Sequence, residues 1–169
     1  MRPSRLMILL LILLAFWQMS HYEPLLPEQM ATHFDGAGVA DGWSSRGGFL
    51  LTNMVMVAGF GLLFAGITTL IQRVPNAYIN LPNKEYWLAP ERRTATLEWI
   101  SRQMEWFGAA TLALLLGMTQ LTIRANLTGS GTLGSAFWLL FGGYMLYMIA
   151  WLVALIRKSY ARVPRQEGA

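Results

Sequence analysis

Charged residues are absent from four long windows of this sequence, and no other feature limits the possible folds as strongly. The windows contain 17, 26, 18 and 32 residues and are rich in Leu, Phe, Met, Ala and Gly. They lie between Arg5 and Glu23, Arg46 and Arg73, Glu105 and Arg124, and Arg124 and Arg157. A membrane-spanning helix needs about 20 mainly apolar residues, within a range of about 17 to 25. The pattern therefore predicts an all-α, polytopic membrane protein with four transmembrane helices in a bundle.

The composition argues against an ordinary soluble domain and excludes several kinds of site. Charged residues make up 13% of the 169 residues, about half the usual share of about 25%. The sequence has no Cys, which excludes disulfides, thiolate zinc sites, cysteine nucleophiles and iron–sulfur clusters. The net charge of +4 does not require a nucleic acid, because basic residues fix the orientation of a polytopic protein. We therefore expect a lipid bilayer as the surroundings and no nucleic-acid partner.

The basic residues predict that both termini are cytoplasmic. We place the spans at about 6–22, 49–71, 106–123 and 133–156, the outside loop at 23–48, and the inside loop with an amphipathic helix at 73–105. This topology leaves only Arg46 and Arg124 outside and puts 11 of the 13 basic residues inside, Arg162 and Arg165 among them. The positive-inside rule therefore selects one orientation. We interpret the first apolar stretch as an uncleaved span, because no small-residue cleavage site follows it.

The first outside loop is acidic and rich in Pro and Gly, which favours short extended or turn structure over helix. Together with the last residues of the first span, it holds both His residues of the chain and four acids, namely His21, His33, Glu23, Glu28, Asp35 and Asp41. Two imidazoles and a carboxylate could bind a divalent metal, so His21, His33 and Asp35 form a candidate metal site. Their spacing is not diagnostic, and we favour the alternative that His33 and Asp35 hydrogen-bond the loop backbone around Gly36 and Gly38. Ser44 and Ser45 are expected to begin the second helix.

The inside segment changes character at Pro90. Residues 74–90 contain three Pro and three Asn, which favour turns. Beyond them, four apolar residues recur at helical spacing, and three charged residues are predicted to lie on other faces; the two sets are Leu97, Ile100, Met104 and Phe107, and Glu98, Arg102 and Glu105. We favour one continuous helix from Pro90 to Ile123, about 51 Å long, over a separate helix lying in the membrane interface.

The predicted spans contain no Asp, Glu, Lys or Arg. Ionisable residues inside the membrane mark proton and ion pathways, so their absence argues against a secondary transporter. Asn53 and Gln120 lie near the outer ends of their spans, where they could pair with each other or face the outside loop. Gly61 and Ala65, one helical turn apart, could let two helices approach closely.

Two segments resemble a known family. Residues 26–43 read L-P-E-Q-M-A-T-H-F-D-G-A-G-V-A-D-G-W, which resembles the signature of a small bacterial membrane family, domain of unknown function 1648. The matching positions are a Leu-Pro, a His-Phe, a Gly and an Asp-Gly-aromatic, here Leu26, Pro27, His33, Phe34, Gly38, Asp41, Gly42 and Trp43. Residues 80–93 are similar to a segment of stand-alone members. The resemblance implies a bacterial inner-membrane location and a multi-span helical fold.

The same module forms the N-terminal part of SdpI-type immunity and signalling proteins, and their further C-terminal membrane region has no counterpart here. We predict a non-enzymatic membrane protein that acts through its outside loop at 26–43 and its inside loop at 76–99, since loops on a rigid scaffold often bind. Its role would be ligand or partner binding, signalling, immunity-like protection or that of an accessory subunit, with a protein partner or a homo-oligomer and without a cofactor.

The candidate binding residues are Glu28, His33, Phe34, Asp35, Asp41, Trp43, Asn80, Asn83, Tyr86 and Trp87. The first alternative is a metal-binding protein or metal-dependent enzyme at the outer membrane face, using the candidate metal site. The second alternative is a small transporter.

Overall fold

The computed structural model describes residues 2–160 and is mostly helical, with 77% of residues in helices. Its helices are α1 (Pro3–Tyr22), α2 (Arg46–Leu70), α3 (Lys84–Trp87), α4 (Pro90–Leu127) and α5 (Ser135–Tyr160), and its strands are β1 (Gln29–Phe34) and β2 (Ala40–Ser45). Within these residues, four helices are long and apolar enough to cross a membrane, namely α1, α2, α4 and α5. The prediction of four spans is confirmed; Arg162 and Arg165 lie outside the described residues.

The four long helices run alternately up and down, which gives the molecule two different ends. The hairpin end holds β1, β2 and the loop between α4 and α5. The basic end holds α3 and nine of the 11 Lys and Arg found in residues 2–160. At this end the guanidinium of Arg5 on α1 meets the carboxylate of Glu105 on α4, whereas at the hairpin end Met19, Phe49 and Ile123 share one cluster.

Three of the long helices form a packed core, and α5 is peripheral. Buried residues of α1, α2 and α4 make the central cluster, which contains Ile8, Ala15, Val57, Phe64, Ala109 and Leu112. Helix α5 packs mainly on α4, and none of its apolar window is buried. Leu139 and Leu146, for example, are 77% and 70% exposed. Apolar side chains exposed along a whole helix indicate a lipid bilayer as the surroundings.

Glycines allow the close contacts within this core. A Cβ atom at Gly61 of α2 would lie 2.7 Å from Cδ1 of Ile12 on α1, and one at Gly108 of α4 would overlap the ring of Phe64. Small residues have this function in membrane helices because lipid gives little hydrophobic drive for association, so close packing must supply it. The expectation that Gly61 permits a close approach is confirmed.

Helix α4 is continuous over 38 residues, with Pro90 in its first turn. The prediction of one continuous helix, rather than a separate helix in the membrane interface, is confirmed. Its buried face differs from the apolar stripe expected from the sequence. Leu97 is fully buried, but Ile100, Met104 and Phe107 are only half-buried, and the smaller or polar Ser101, Glu105 and Gly108 are buried in their place. Apolarity alone predicts the wrong stripe, because small and hydrogen-bonding residues favour the contact surface between helices in lipid.

The prediction that Glu105 lies away from the packed face was therefore wrong. Its side chain is 1% exposed and is held by three groups of the α1 N-terminus. The hydroxyl of Ser4 donates to Oε2, and the guanidinium groups of Arg5 and Arg2 lie 2.7 Å and 3.4 Å from Oε1. A buried carboxylate is stable in such a position because charged and hydrogen-bonding partners replace the lost water.

The loop between α1 and α2 folds as a short antiparallel hairpin, which confirms the expected extended and turn structure. It is the one sheet within residues 2–160 and adds a small β element to a helical fold. Ser45 ends β2 and caps α2, since its hydroxyl accepts from the Gly48 N–H at 3.1 Å. Such a cap satisfies one of the free N–H groups at the start of a helix, so β2 leads directly into α2.

Candidate functional site beneath the hairpin

Two bulges shape the hairpin. Ala31 pairs with Trp43, His33 with Gly42, and Phe34 with Ala40, so Thr32 and Asp41 have no partner in the ladder. Bulges change the direction in which neighbouring side chains point, and they often occur beside functional sites. Gly42 is needed opposite His33, because a Cβ there would lie 2.9 Å from Cβ of His33.

The bulged Asp41 meets His33 across the two strands. Nδ1 of His33 is hydrogen-bonded to Oδ1 of Asp41, which leaves Nε2 of the imidazole to bind another group. Both side chains are accessible, at 75% and 48% exposure. The pair can therefore offer a hydrogen bond from the imidazole to a molecule at this surface.

Asp35 has a structural role at the tip of the hairpin. Its Oδ1 accepts from the N–H groups of Ala37 and Val39, each at 2.9 Å. This is an Asx turn, in which a short acidic side chain replaces a backbone acceptor. Gly38 follows with a φ of 79°, a conformation that glycine adopts without strain. Asp35 thus bonds loop backbone as expected, whereas His33 pairs with Asp41.

The hairpin is fixed to α4 and to the loop that follows it. The Asn126 amide accepts from the Ala31 N–H at 2.8 Å and donates to the Ala31 carbonyl at 2.9 Å, as a neighbouring strand would. The Asn126 Nδ2 also donates to the Thr122 carbonyl, and Val39 forms a β-bridge with Thr132. Met30, with no exposed surface, anchors the underside in the cluster with Met19, Phe49 and Ile123. These contacts hold the hairpin across the end of the helices.

A cavity of about 500 Å³ lies beneath the hairpin, between α2, α4 and the start of α5. We call it the hairpin cavity. Its lining comes from the hairpin (Thr32, His33, Phe34, Ser44), α2 (Gly48, Phe49, Thr52, Asn53, Met56), α4 (Leu115, Met118, Thr119, Thr122) and the α5 region (Leu133, Phe137). Sites for small ligands typically measure about 300 to 1,000 Å³ and combine apolar walls with a few polar groups. The hairpin cavity has both properties.

Polar groups converge on one side of this cavity. The Thr119 hydroxyl donates to Oδ1 of Asn53 at 2.7 Å, and Nδ2 of Asn53 donates to the Phe49 carbonyl at 2.9 Å. Asn53 therefore faces the region beneath the loop, one of the two arrangements expected for it. Gln120 bonds instead to Gln18 at 2.7 Å and to the Tyr22 hydroxyl at 3.2 Å, so Asn53 and Gln120 each pair with other side chains.

The three candidate metal ligands are engaged separately. His21 stacks on Trp17, with ring centroids 5.1 Å apart, and contacts Tyr22 edge-on. His33 pairs with Asp41 and Asp35 bonds backbone amides, as described above. Within residues 2–160, no three His, Asp or Glu side chains form a group that could hold a metal ion. Of the other candidates in this loop, Phe34 lines the cavity, and Trp43 and Glu28 are exposed.

The candidate residues at the basic end mostly hold the chain together there. Nε1 of Trp87 donates to the Ser159 carbonyl at 3.0 Å, and Nδ2 of Asn83 approaches the same oxygen at 3.4 Å. The Arg92 guanidinium lies over the ring of Tyr86, with its Cζ 4.2 Å from the ring centroid. Asn80 is exposed. The segment before α4 is thus docked on the ends of α4 and α5.

Sequence reasoning missed most of the cavity wall and the Arg5–Glu105 pair. Thr119, Thr122 and Met118 recur on one face of α4 at spacings of one and three, but this pattern also fits ordinary helix packing. A signal for Glu105 was present, because it continues the spacing of four from Leu97 and Ser101. This spacing predicts the buried face of α4 only if small and polar residues are counted among those that form contacts between membrane helices.

Comparison with known proteins identifies one domain. Residues 6–57 match the family model Domain of unknown function (DUF1648). No curated protein and no solved structure matches the chain. The matched part contains most of α1, the hairpin and the start of α2. It therefore supplies the cavity-lining residues of the hairpin and α2, and the other lining residues come from α4 and the α5 region. The family match thus covers the N-terminal third of this four-helix protein, and that third is similar to the DUF1648 domain.

Proposed function

We propose that this chain is a non-enzymatic integral membrane protein that binds an amphipathic ligand in the hairpin cavity and relays the bound state to the basic end. The proposal places the hairpin outside and both termini in the cytoplasm of a bacterial inner membrane. The charges support this orientation, because nine of the 11 described Lys and Arg lie at the basic end and cytoplasmic loops carry the excess of basic residues.

The hairpin cavity is the single observation that carries the proposal. Its apolar part, formed by residues such as Phe49, Met118 and Phe137, suits a hydrocarbon group. Its polar part, formed by Asn53 and Thr119 with the His33 imidazole, suits a hydroxyl, amide or acidic group. A few fixed polar groups within an apolar site determine the orientation of a ligand. The expected ligand is therefore a small molecule with one polar end.

Helix α4 provides a direct connection between the two ends. It contributes Thr119 to the cavity, and at its other end the Thr96 hydroxyl donates to the Trp87 carbonyl at 2.8 Å. A continuous helix of 38 residues is about 57 Å long, so a shift of α4 on binding would reach the segment docked at the basic end. Tyr78, 81% exposed in this segment, offers a contact for a protein partner or a second copy.

Native mass spectrometry of protein extracted directly into lipid nanodiscs tests the binding proposal. We expect the wild type to carry a small molecule that a Thr122→Trp variant loses, because the indole would fill the cavity. Thr94→Trp is the matched control, since Thr94 is exposed near the start of α4. A wild type without a bound molecule, or the same molecule on Thr122→Trp, would contradict the proposal.

Partner analysis and elemental analysis test the remaining parts. We expect His33→Ala and Trp87→Ala to change the set of proteins that co-purify in gentle detergent, and identical sets in all three preparations would count against the relay. The proposal includes no resident cofactor. A stoichiometric metal in the purified wild type that is lost in His33→Ala would instead support the metal-binding alternative.

A further inference from the structure

A second groove lies at the basic end, between α1 and α2, away from the hairpin cavity. We call it the basic groove; its volume is about 380 Å³. Its polar end is formed by Arg5, Glu105, Thr68 and Thr69, and its apolar walls by residues that include Leu9, Ile12, Phe64 and Ala65. The groove thus passes from charged to purely apolar side chains along the helix direction.

The charges at the polar end do not cancel. The Glu105 carboxylate is 1% exposed and is bound by Arg5, Arg2 and Ser4, so it is shielded from other molecules. The two guanidinium groups remain accessible, since Arg5 is 47% and Arg2 31% exposed. Arg5 lines the groove, and Arg2 contacts Glu105 beside it. Two cations around one buried anion leave one excess positive charge next to the polar end of the groove.

Arg5 is held in place and still has donors to offer. Its Nε is engaged by Glu105 at 2.7 Å, and its Nη2 lies 3.4 Å from the Thr68 hydroxyl. Within residues 2–160, its Nη1 makes no hydrogen bond. An arginine fixed in this way keeps N–H donors free along one edge of its planar guanidinium, and these donors match the oxygens of a phosphate.

The apolar part of the groove runs along the membrane. Thr68 and Gly61 both line it and are seven residues apart on α2, which corresponds to about 10 Å. Gly61 lets Ile12 of α1 pack directly on α2 at this level, and the neighbouring Ala65 is small and exposed, so it leaves the groove open beside it. The charge-free part of α1 begins at Leu6, directly after Arg5. The groove therefore crosses the level at which phospholipid headgroups meet acyl chains.

We infer that the basic groove binds an anionic phospholipid, with its phosphate against Arg5 and Arg2 and an acyl chain between α1 and α2. Basic pockets between membrane helices recognise lipid headgroups in this way. The charge complementarity explains the preference for an anionic headgroup, and the apolar walls explain why a lipid is favoured over free phosphate. The inference does not depend on the hairpin cavity having a ligand.

Lipid titrations of the purified full chain, followed by native mass spectrometry and thermal unfolding, test the inference. The probes are dioleoyl phosphatidylglycerol, dioleoyl phosphatidylcholine and inorganic phosphate. We expect the wild type to bind phosphatidylglycerol about fivefold or more tightly than phosphatidylcholine, and to lose that preference in Arg5→Gln, since one basic residue near an anionic surface has about that effect. The matched control is Arg73→Gln, an exposed arginine at the same end, which should keep the preference.

A second variant keeps the test valid if Arg5→Gln does not fold. Ala65→Phe leaves all charges in place and fills the apolar part of the groove, so it should weaken phosphatidylglycerol binding. Equal binding of the two lipids by the wild type would overturn the inference. Stabilisation by inorganic phosphate equal to that by phosphatidylglycerol, or unchanged lipid binding by Ala65→Phe, would show that no acyl chain occupies the groove and would overturn it as well.

Discussion

Replacing Asn126 by Ala should loosen the hairpin while leaving the helices in place. The Asn126 amide makes two hydrogen bonds to the Ala31 backbone, at 2.8 Å and 2.9 Å, and both join α4 to β1. A hydrogen bond of this kind contributes about 1 kcal/mol net, so the variant should reduce the free energy of hairpin opening by about 2 kcal/mol. That value corresponds to an about 30-fold larger equilibrium constant for hairpin opening.

Hydrogen–deuterium exchange of protein in nanodiscs measures this change directly. Peptides covering β1 (Gln29–Phe34) should exchange about 30-fold faster in Asn126→Ala, because local opening controls the protection of these amides. The control is Asn80→Ala, since Asn80 is exposed and has no side-chain hydrogen bond among the described residues. Exchange of β1 within about threefold of the wild type would refute the role assigned to Asn126, and equal acceleration in α2 would indicate a global rather than a local effect.

Three further predictions concern the core and the orientation. Glu105→Leu should lower stability by about 3 kcal/mol or more in a thermal unfolding assay, because it leaves Arg5 and Arg2 without their shared anion; an unchanged midpoint would be inconsistent with the ion pair. Gly108→Val should cost about 1–3 kcal/mol by overpacking against Phe64, and the additional change Phe64→Leu should recover part of that loss. Since the chain has no Cys, a single Ala37→Cys should react with an impermeant maleimide in intact cells, whereas Ala77→Cys should react only after permeabilisation; the reverse pattern would invert the proposed topology.

The sequence determines the spans because the relevant physics is local. A window without charge and long enough to cross a bilayer has few alternatives, so α1, α2, α4 and α5 could be predicted. Pro90 also fixes φ at the start of α4 in a way that can be recognised without a structure. The Pro- and Gly-rich loop similarly indicated extended or turn structure, which became β1 and β2.

The candidate site was less predictable because it depends on how distant segments meet. The His33–Asp41 pair exists because bulges at Thr32 and Asp41 change the register of the hairpin, and such shifts have no clear sequence signal here. The hairpin cavity exists because α5 packs on α4 while the hairpin is tied to Asn126. The periodicity of apolar residues describes the faces of a single helix. It does not show where two neighbouring helices will be far enough apart to leave a cavity.

A density map of the protein in nanodiscs drawn from its native membrane would show whether the hairpin cavity holds a ligand. We expect density for an elongated molecule in the hairpin cavity, with its polar end near Asn53 and Thr119 and its apolar end against Phe137. The same density should disappear in the Thr122→Trp variant while the helices stay in place. A cavity that is closed by its own side chains, or that shows the same density in both proteins, would contradict the assignment of this cavity as the binding site.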